Sequence, residues 1–500
     1  MGVVIKQSFW GTFLTYLGVI IGYVNTLYLR PEFFSLDEIG LFTLVTANAM
    51  MISPLCTVGM GGSYVRFYPL FKDSEKLSRQ VFSFQFAVII GANLIIMMIA
   101  WINSDWIIGE FSKGSSEYVK YLSITAIIVI VNSLFEHLFA FSSTILKVII
   151  PSFLREVQLR LGAIILVLGY AGGFFEFDWA IKGLAINYTL ALVLLFLNLI
   201  VVHKLRFDFS FSQFTREWRN KILQFSLYSM ALAMSFAILN NVSYNQLSWF
   251  LGDEVTGIFS VCFFIGVIIE MPRRNMAKVI APLLADSMAN NNLSETKKIY
   301  KRGSITMSVI GSLLFIGIIT NIQDLFSIIP KGDSFSLGFG VVLAVSAAKL
   351  ILMAFSFGGE IINYSQQYKY NLIFQIIAAI LLVVLNYFLI PVYGLNGVAI
   401  SYFITILIHS LLKVIYIKQV HSIHPFMKSH FALLIISGIT ILIFYLFKTG
   451  LPVTLNIVIR SFLTTLFFTF LIYRFKISDD INRLIDLILS RLLKSKGRNS

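Results

Sequence analysis

Cysteine, proline and charge are all scarce in this chain. Two cysteines, Cys56 and Cys262, stand among 500 residues, and both lie inside apolar runs. They have no metal-ligand spacing and cannot build a disulfide framework, so both read as small interior residues. Charged residues make up 13% of the chain, against roughly 25% in soluble domains. A P-loop, a His-x-x-x-His pair on a loop and a Gly-rich phosphate cradle are all missing, which excludes ATP hydrolysis by the chain itself. What is present is apolar: 57% hydrophobic residues, with 47 Phe against 10 Pro. A soluble protein of this size cannot cover that much apolar surface, so the sequence implies an integral membrane protein.

A bilayer core needs about 20 mostly apolar residues per helix. Fourteen such windows can be read: six within 8–203, six within 223–417 and two within 431–473. The runs are continuous rather than alternating, which predicts helices and not barrel strands. The first apolar stretch, Phe9 to Leu29, is longer than a signal-peptide core and has no Ala-x-Ala site, so it is expected to be the first span.

The formal charge is +14. With the N-terminus placed in the cytoplasm, the loops on that side hold 31 Lys and Arg and the opposite loops hold six. Acidic residues run the other way, ten inside and twelve outside. The positive-inside rule therefore predicts that both termini are cytoplasmic. The basic residues are scattered over short loops and a tail, which argues against a nucleic-acid partner. The tail from Lys476 to Arg498 sets Ile481, Leu484, Ile485, Ile488 and Leu492 at helical spacing beside Arg483 and Arg491. It is expected either to lie on the inner leaflet or to be solvated.

Two landmarks recur. Asp37-Glu38-Ile39-Gly40-Leu41-Phe42 opens the second span, and Asp253-Glu254-Val255-Thr256-Gly257-Ile258-Phe259 opens the eighth; their glycines are 217 residues apart. Ile181-Lys182-Gly183-Leu184-Ala185 and Leu395-Asn396-Gly397-Val398-Ala399 open the sixth and twelfth spans, with glycines 214 apart. The matched offsets imply an internal duplication. Each copy holds an even number of spans, so both enter the membrane the same way. The expected organisation is a six-helix bundle over 1–215, a second over 216–425, two additional spans over 426–475 and a basic tail over 476–500. In the first motif the acidic pair suits a helix N-terminus, and the glycine lets the span begin close against a neighbour. Neither is assigned chemistry.

A six-plus-six duplication with two added spans resembles the multidrug/oligosaccharidyl-lipid/polysaccharide (MOP) exporter superfamily. The start Met1-Gly2-Val3-Val4-Ile5-Lys6-Gln7-Ser8, the Asp37–Phe42 segment and Pro391-Val392-Tyr393-Gly394-Leu395-Asn396-Gly397-Val398-Ala399 are similar to its bacterial polysaccharide-biosynthesis flippases of the O-antigen and capsule type. The resemblance implies an all-α integral membrane protein in a bacterial cytoplasmic membrane. It further implies translocation of undecaprenyl-pyrophosphate-linked oligosaccharide by alternating access, for surface polysaccharide and lipopolysaccharide synthesis. Membrane lipids, a polysaccharide polymerase and glycosyltransferases would be the partners. No cofactor is implied, and coupling to H+ or Na+ stays open. The competing readings are a cation-coupled multidrug exporter of the same superfamily, which predicts an acidic cavity, and a membrane glycosyltransferase or polymerase, for which no outer loop is long enough.

Ionisable groups inside spans by default face the bundle interior or a wet path. Lys349, preceded by small residues, is the first candidate cation for pyrophosphate, the alternative being an internally paired lysine. Glu136 falls near the position equivalent to Lys349 by the repeat offset, so the two are expected to face each other as a gate or as a structural ion pair. His137 beside it is either a titratable switch or an interior residue. Arg460 suits pyrophosphate or an outer-leaflet headgroup. Arg66 suits a first contact for pyrophosphate at the inner leaflet, the alternative being a topology role. Glu270 and Glu360, near inner helix ends, are coupling candidates or partners of nearby basics, and His409 is a further coupling candidate. The run Asn240-Asn241-Val242-Ser243-Tyr244-Asn245-Gln246 is expensive in lipid. Asn241 and Asn245 are therefore expected on a wet path, where amides suit sugar hydroxyls, the alternative being a solvated helix end.

Overall fold

Lipid cannot hydrogen-bond a backbone, so an apolar run must satisfy its amides internally. The computed structural model describes residues 2–203, 205–447 and 450–496. Lys204, Lys448 and the end of the basic tail with Arg498 fall outside the described residues, as does Met1. Helix dominates throughout, with no strand among the described residues.

In chain order the main helices are α1 (Gly2–Tyr23), α2 (Leu36–Thr57), α3 (Met60–Phe71), α4 (Glu75–Ile102), α5 (Ser104–Ser112), α6 (Leu122–Thr144), α7 (Leu159–Ala171) and α8 (Phe177–Val201). There follow α9 (Arg216–Val267), α10 (Met271–Ala289), α11 (Leu293–Ile328), α12 (Phe339–Ala354), α13 (Lys369–Tyr393), α14 (Leu395–His421), α15 (Lys428–Leu446), α16 (Val453–Arg474) and α17 (Asp479–Lys496). Ten described helical stretches are long and apolar enough to cross a membrane. One of them, Arg216–Ala289, breaks at Gly252, whose φ of 86° no ordinary helix allows. Others of the fourteen expected windows fall on shorter or interrupted helices. α1 runs on through a π segment, Val24–Leu29; α7 is preceded by another, Leu154–Gln158; α12 has 16 residues. An all-helical, multi-pass protein is established, and fourteen spans are consistent with it.

The chain divides into two compact units, Met1–Val261 with Asn386–Gly394, and Cys262–Leu385 with Leu395–Ser500.

In the first unit, α6 packs on α2, α3 and α8. Its core is aromatic: Tyr64, Phe71, Phe82 and Phe135 are buried with Leu138, Leu195 and Ile222. The segment after α8 is tied to α4 by Gln80. Its amide donates to Asp208 at 3.1 Å and to Ser210 at 2.8 Å, and its carbonyl accepts from the Gln213 N–H at 3.0 Å. Hydrogen bonds from Ser210 hold the Asp208 carboxyl below its usual range. Cys56 is buried and unpaired, as expected of a small interior residue.

The duplicated acidic motif has a clear local cause. Ser35 caps α2, accepting from the Glu38 N–H at 3.2 Å, while the Glu38 carboxylate accepts from the Ser35 N–H at 2.7 Å, a reciprocal capping box. The neighbour each glycine packs on is the other copy of the motif. A Cβ on Gly40 would strike the Asp253 carbonyl, and one on Gly257 would strike the Leu36 carbonyl. Leu36 and Asp253 are also 217 residues apart. The two helix starts thus cross glycine to glycine with exchanged contacts. Gly40→Ala and Gly257→Ala are each expected to cost about 1–3 kcal/mol by overpacking against rigid backbone. Gly91→Ala, which meets open space within α4, should cost nothing. Thermal unfolding of the purified protein checks the contrast; equal melting of all three variants would contradict the crossing.

In the second unit α11 is the spine, packing against α12, α15 and α16, and α14 packs on α12. Tyr300, Phe357, Met353 and Ile417 form one buried cluster, and Ile316, Leu433, Phe468 and Ile472 another. Cys262 is buried and its thiol donates to the Phe335 carbonyl at 3.4 Å. The amphipathic tail begins as α17, anchored to α11 by an Arg302–Asp480 ion pair and a Thr306–Ser478 hydrogen bond of 3.1 Å. Leu484, Leu487 and Ile488 on it remain exposed.

Candidate functional site

Small residues are what open a space between helices. α2 ends at Val58 in the left-handed region, and Gly59, with φ 65°, turns the chain into α3. A Cβ at Gly59 would strike the α9 backbone at Ser226 and Met230, so the turn is seated directly on that helix. Beyond it lies a cavity of about 520 Å³ within the first unit, inside the size range of small-ligand sites. α2 contributes Ser53, Pro54 and Thr57; α3 contributes Gly61, Gly62 and Val65. Asn132, Glu136 and Ala140 come from α6, and Ser229, Phe236, Asn240 and Asn241 from α9.

One ion pair stands in this cavity. The Glu136 carboxylate lies 2.7 Å from the Arg155 guanidinium, both partly exposed. Arg155 also sits over the Phe139 ring at 5.0 Å. It belongs to the π segment Leu154–Gln158, a distortion frequent at functional positions. His137 borders the cavity but is buried, stacked on Phe82 at 5.0 Å and flanked by Tyr64. Its surroundings are those of an interior residue. Asn241 lines the cavity while its amide donates to the Ala237 carbonyl at 2.9 Å. Arg66 follows the lining residue Val65 and lies over the Phe225 ring at 4.6 Å.

The other expected residues lie elsewhere. Asn245 lines a second pocket, further along α9. Within the first unit Glu136 holds Arg155, and within the second Lys349 lies 2.7 Å from Glu270. Lys349 is therefore not a free cation for substrate. It is 2% exposed in the core of the second unit, and Glu270 is 5% exposed. Gly266 makes this approach possible, since a Cβ there would strike Val345 and Ser346. Glu270 also binds Arg273 at 2.9 Å and Arg274 at 3.4 Å, and Arg273 reaches Glu360 at 3.4 Å. Both acids therefore pair with nearby basics. His409 is buried in α14 near Arg273 and Lys413. Arg460 is turned inward: it donates to the Thr320 carbonyl and to Asp324 at 2.8 Å each, and to the Phe447 carbonyl at 3.1 Å. It ties α16 to α11, and with Asp324 and Asn456 it lines a small pocket of about 220 Å³.

The residue that sequence reasoning missed is Arg155. It was one of three basic residues in a short loop, indistinguishable there from a topology signal, and no pattern in the sequence announces the π segment.

No protein-family model matches the sequence, and a search of curated proteins finds no match. Among solved structures the fold is similar to that of transporters described as members of the MOP superfamily. The chain is similar to a structure described as the lipid II flippase MurJ in an inward closed conformation. That match has TM-score 0.76 and 16% identity, and covers 93% of this chain and 99% of the other. It is also similar to an inward-facing multidrug resistance MATE family transporter, with TM-score 0.63, 15% identity and coverages of 82% and 94%. A MOP superfamily transporter from Pyrococcus furiosus, whose description speaks of reversed polarity in the binding pocket, gives TM-score 0.56, 15% identity and coverages of 84% and 95%.

Proposed function

We propose that this chain is a flippase for undecaprenyl-pyrophosphate-linked oligosaccharide, moving it from the inner to the outer leaflet of a bacterial cytoplasmic membrane. Both termini would be cytoplasmic, and transport would proceed by alternating access, with H+ or Na+ as the coupling ion. Glycosyltransferases would supply the substrate and a polysaccharide polymerase would consume it. The carrying observation is the cavity of the first unit. Its lining carboxylate, Glu136, is neutralised by Arg155, and the rest of its polar lining is amides, hydroxyls and the edge of the buried His137 ring. An exporter of organic cations needs unpaired acid in its cavity, and Glu270 and Glu360 are paired as well. Neutral amides and hydroxyls suit sugars, and a guanidinium suits pyrophosphate through two parallel hydrogen bonds. Arg155 and Arg66 both lie on segments that the charge count makes cytoplasmic, where the substrate would enter. One solved structure of similar fold is described as a lipid II flippase.

Native mass spectrometry tests the reading. A pyrophosphate-linked saccharide lipid should bind the purified protein at least about tenfold more tightly than a lipophilic cation of similar mass, as one charge-assisted hydrogen-bonded pair implies. Preference for the cation would overturn it.

A further inference from the structure

α9 carries its polar run past the cavity. Asn240 and Asn241 face the first cavity, and Asn245 and Gln246 line a second pocket of about 380 Å³. Five residues of helix rise about 7.5 Å, so the two spaces follow one another along the same helix. α2 flanks both, with Met50 and Ser53 at the first and Leu44 and Met51 at the second. The second lies toward the acidic helix ends, with Glu110 on α5 in its wall.

This pocket is held together by several contacts. Gly114 lets the α5 loop rest on α9, since a Cβ there would strike the backbone of Ser248 and Trp249. Asp253 clamps both sides, accepting from Ser248 at 2.8 Å and from Ser115. The walls pair aromatic faces with a few polar groups: Trp106, Phe111 and Trp249 stand beside Glu110, Asn245 and Gln246. Trp106 is 68% exposed and Trp249 41%. Glu110 is neutralised by Lys113 at 2.6 Å. The Gln246 carbonyl is fixed by Asn386, which donates to it at 2.9 Å. Asn245 differs: both atoms of its amide are shielded from solvent without a hydrogen-bond partner among the described residues. Its neighbour Asn241 returns its amide to its own helix. An unpaired amide at a pocket wall is unfavourable unless something bonds it.

We propose that this second pocket is a saccharide subsite, which receives a sugar ring of the cargo after the first cavity. Tryptophan faces take the apolar C–H face of a pyranose, and amides and a neutralised carboxylate take its hydroxyls. A membrane-interface tryptophan anchor needs the indoles. It has no use for an unpaired amide, a charge-neutral pair and a loop clamped over them. The cargo assignment rests on the flippase reading; the sugar chemistry of the pocket stands on its own residues.

Saturation-transfer NMR on the whole protein in lipid nanodiscs tests it, with free lipid-less disaccharides as probes: N,N′-diacetylchitobiose, maltose and cellobiose. At least one should receive saturation from the wild type. Its affinity should fall about tenfold or more in Trp249→Ala and in Asn245→Leu, the two variants guarding against one misfolding. No transfer to any of the three, or unchanged transfer in both folded variants, would overturn the subsite. Broadening of Trp106 and Trp249 by lipid-tail spin labels that no sugar relieves would assign the pocket to lipid and overturn it too. Leaflet transfer of a lipid-linked saccharide, measured on the same protein, separates the two readings. Transfer without free-sugar binding removes the subsite and keeps the flippase; free-sugar binding without transfer keeps the subsite and removes the flippase.

Discussion

Arg155→Leu should weaken binding of a pyrophosphate-linked saccharide about 10- to 100-fold, the range of one charge-assisted hydrogen-bonded contact. Two effects act together. The guanidinium that can grip pyrophosphate is gone, and Glu136, now without its partner 2.7 Å away, makes the cavity acidic and repels the headgroup. A set of variants separates them. Glu136→Gln frees Arg155 and should keep or tighten binding. The double variant Arg155→Leu/Glu136→Gln restores neutrality and should recover only the repulsion. Arg155→Lys keeps the charge without the planar fork and should recover part of the loss. Titration of a fluorescent lipid-linked saccharide against each variant gives the order. Equal affinity of Arg155→Leu and wild type would remove Arg155 from the site. Full rescue by the double variant would reduce it to a counter-charge.

Glu270→Gln should be the most destabilising single substitution among the buried ionisable groups, at about 3–5 kcal/mol. It leaves Lys349 almost fully buried, its ammonium facing a group without charge. Lys349→Met should cost clearly less, because Glu270 keeps Arg273 at 2.9 Å and Arg274 at 3.4 Å. The double variant Glu270→Gln/Lys349→Met removes both charges and should recover most of the loss, since a buried pair is often neutral relative to an apolar replacement. Thermal unfolding in detergent checks the ranking. If Lys349→Met were the worse of the two, or Glu270→Gln melted as wild type, the ion pair would not hold the second unit together. Because Lys349 is 2% exposed and held by Glu270, Lys349→Met should also bind a lipid-linked saccharide as well as wild type.

The helical, multi-pass architecture was legible because lipid leaves a continuous apolar run no alternative. The glycines of the repeated acidic motif were also legible as close-packing positions. Their partner was not: that Gly40 meets Asp253 and Gly257 meets Leu36 depends on how two helix starts cross. The ionisable span residues were legible by their cost in lipid; their partners within each unit were not. Packing sets the Glu270 turn against α12 through Gly266, and brings Arg155 to Glu136 from a segment that the sequence marks only as a topology signal. Fourteen apolar windows and ten long apolar helices among the described residues differ for a similar reason. The π segments at Val24–Leu29 and Leu154–Gln158, and the break at Gly252, divide or merge helices without changing hydropathy. Arg460 was visible as a charge in a span, but its three acceptors come from α11 and from the end of the α15 connection, which no local pattern discloses.

The central claim is that the neutral, amide-lined cavity carries a lipid-linked saccharide across the membrane. Liposomes containing the purified protein and a fluorescent undecaprenyl-pyrophosphate-linked saccharide, with an impermeant quencher outside, test it most directly. The account predicts that wild type moves the probe between leaflets far faster than empty liposomes do, that Arg155→Leu largely abolishes the movement, and that Lys349→Met, where it remains folded, preserves binding of the probe. Wild-type liposomes no faster than empty ones across pH and Na+ gradients would contradict it.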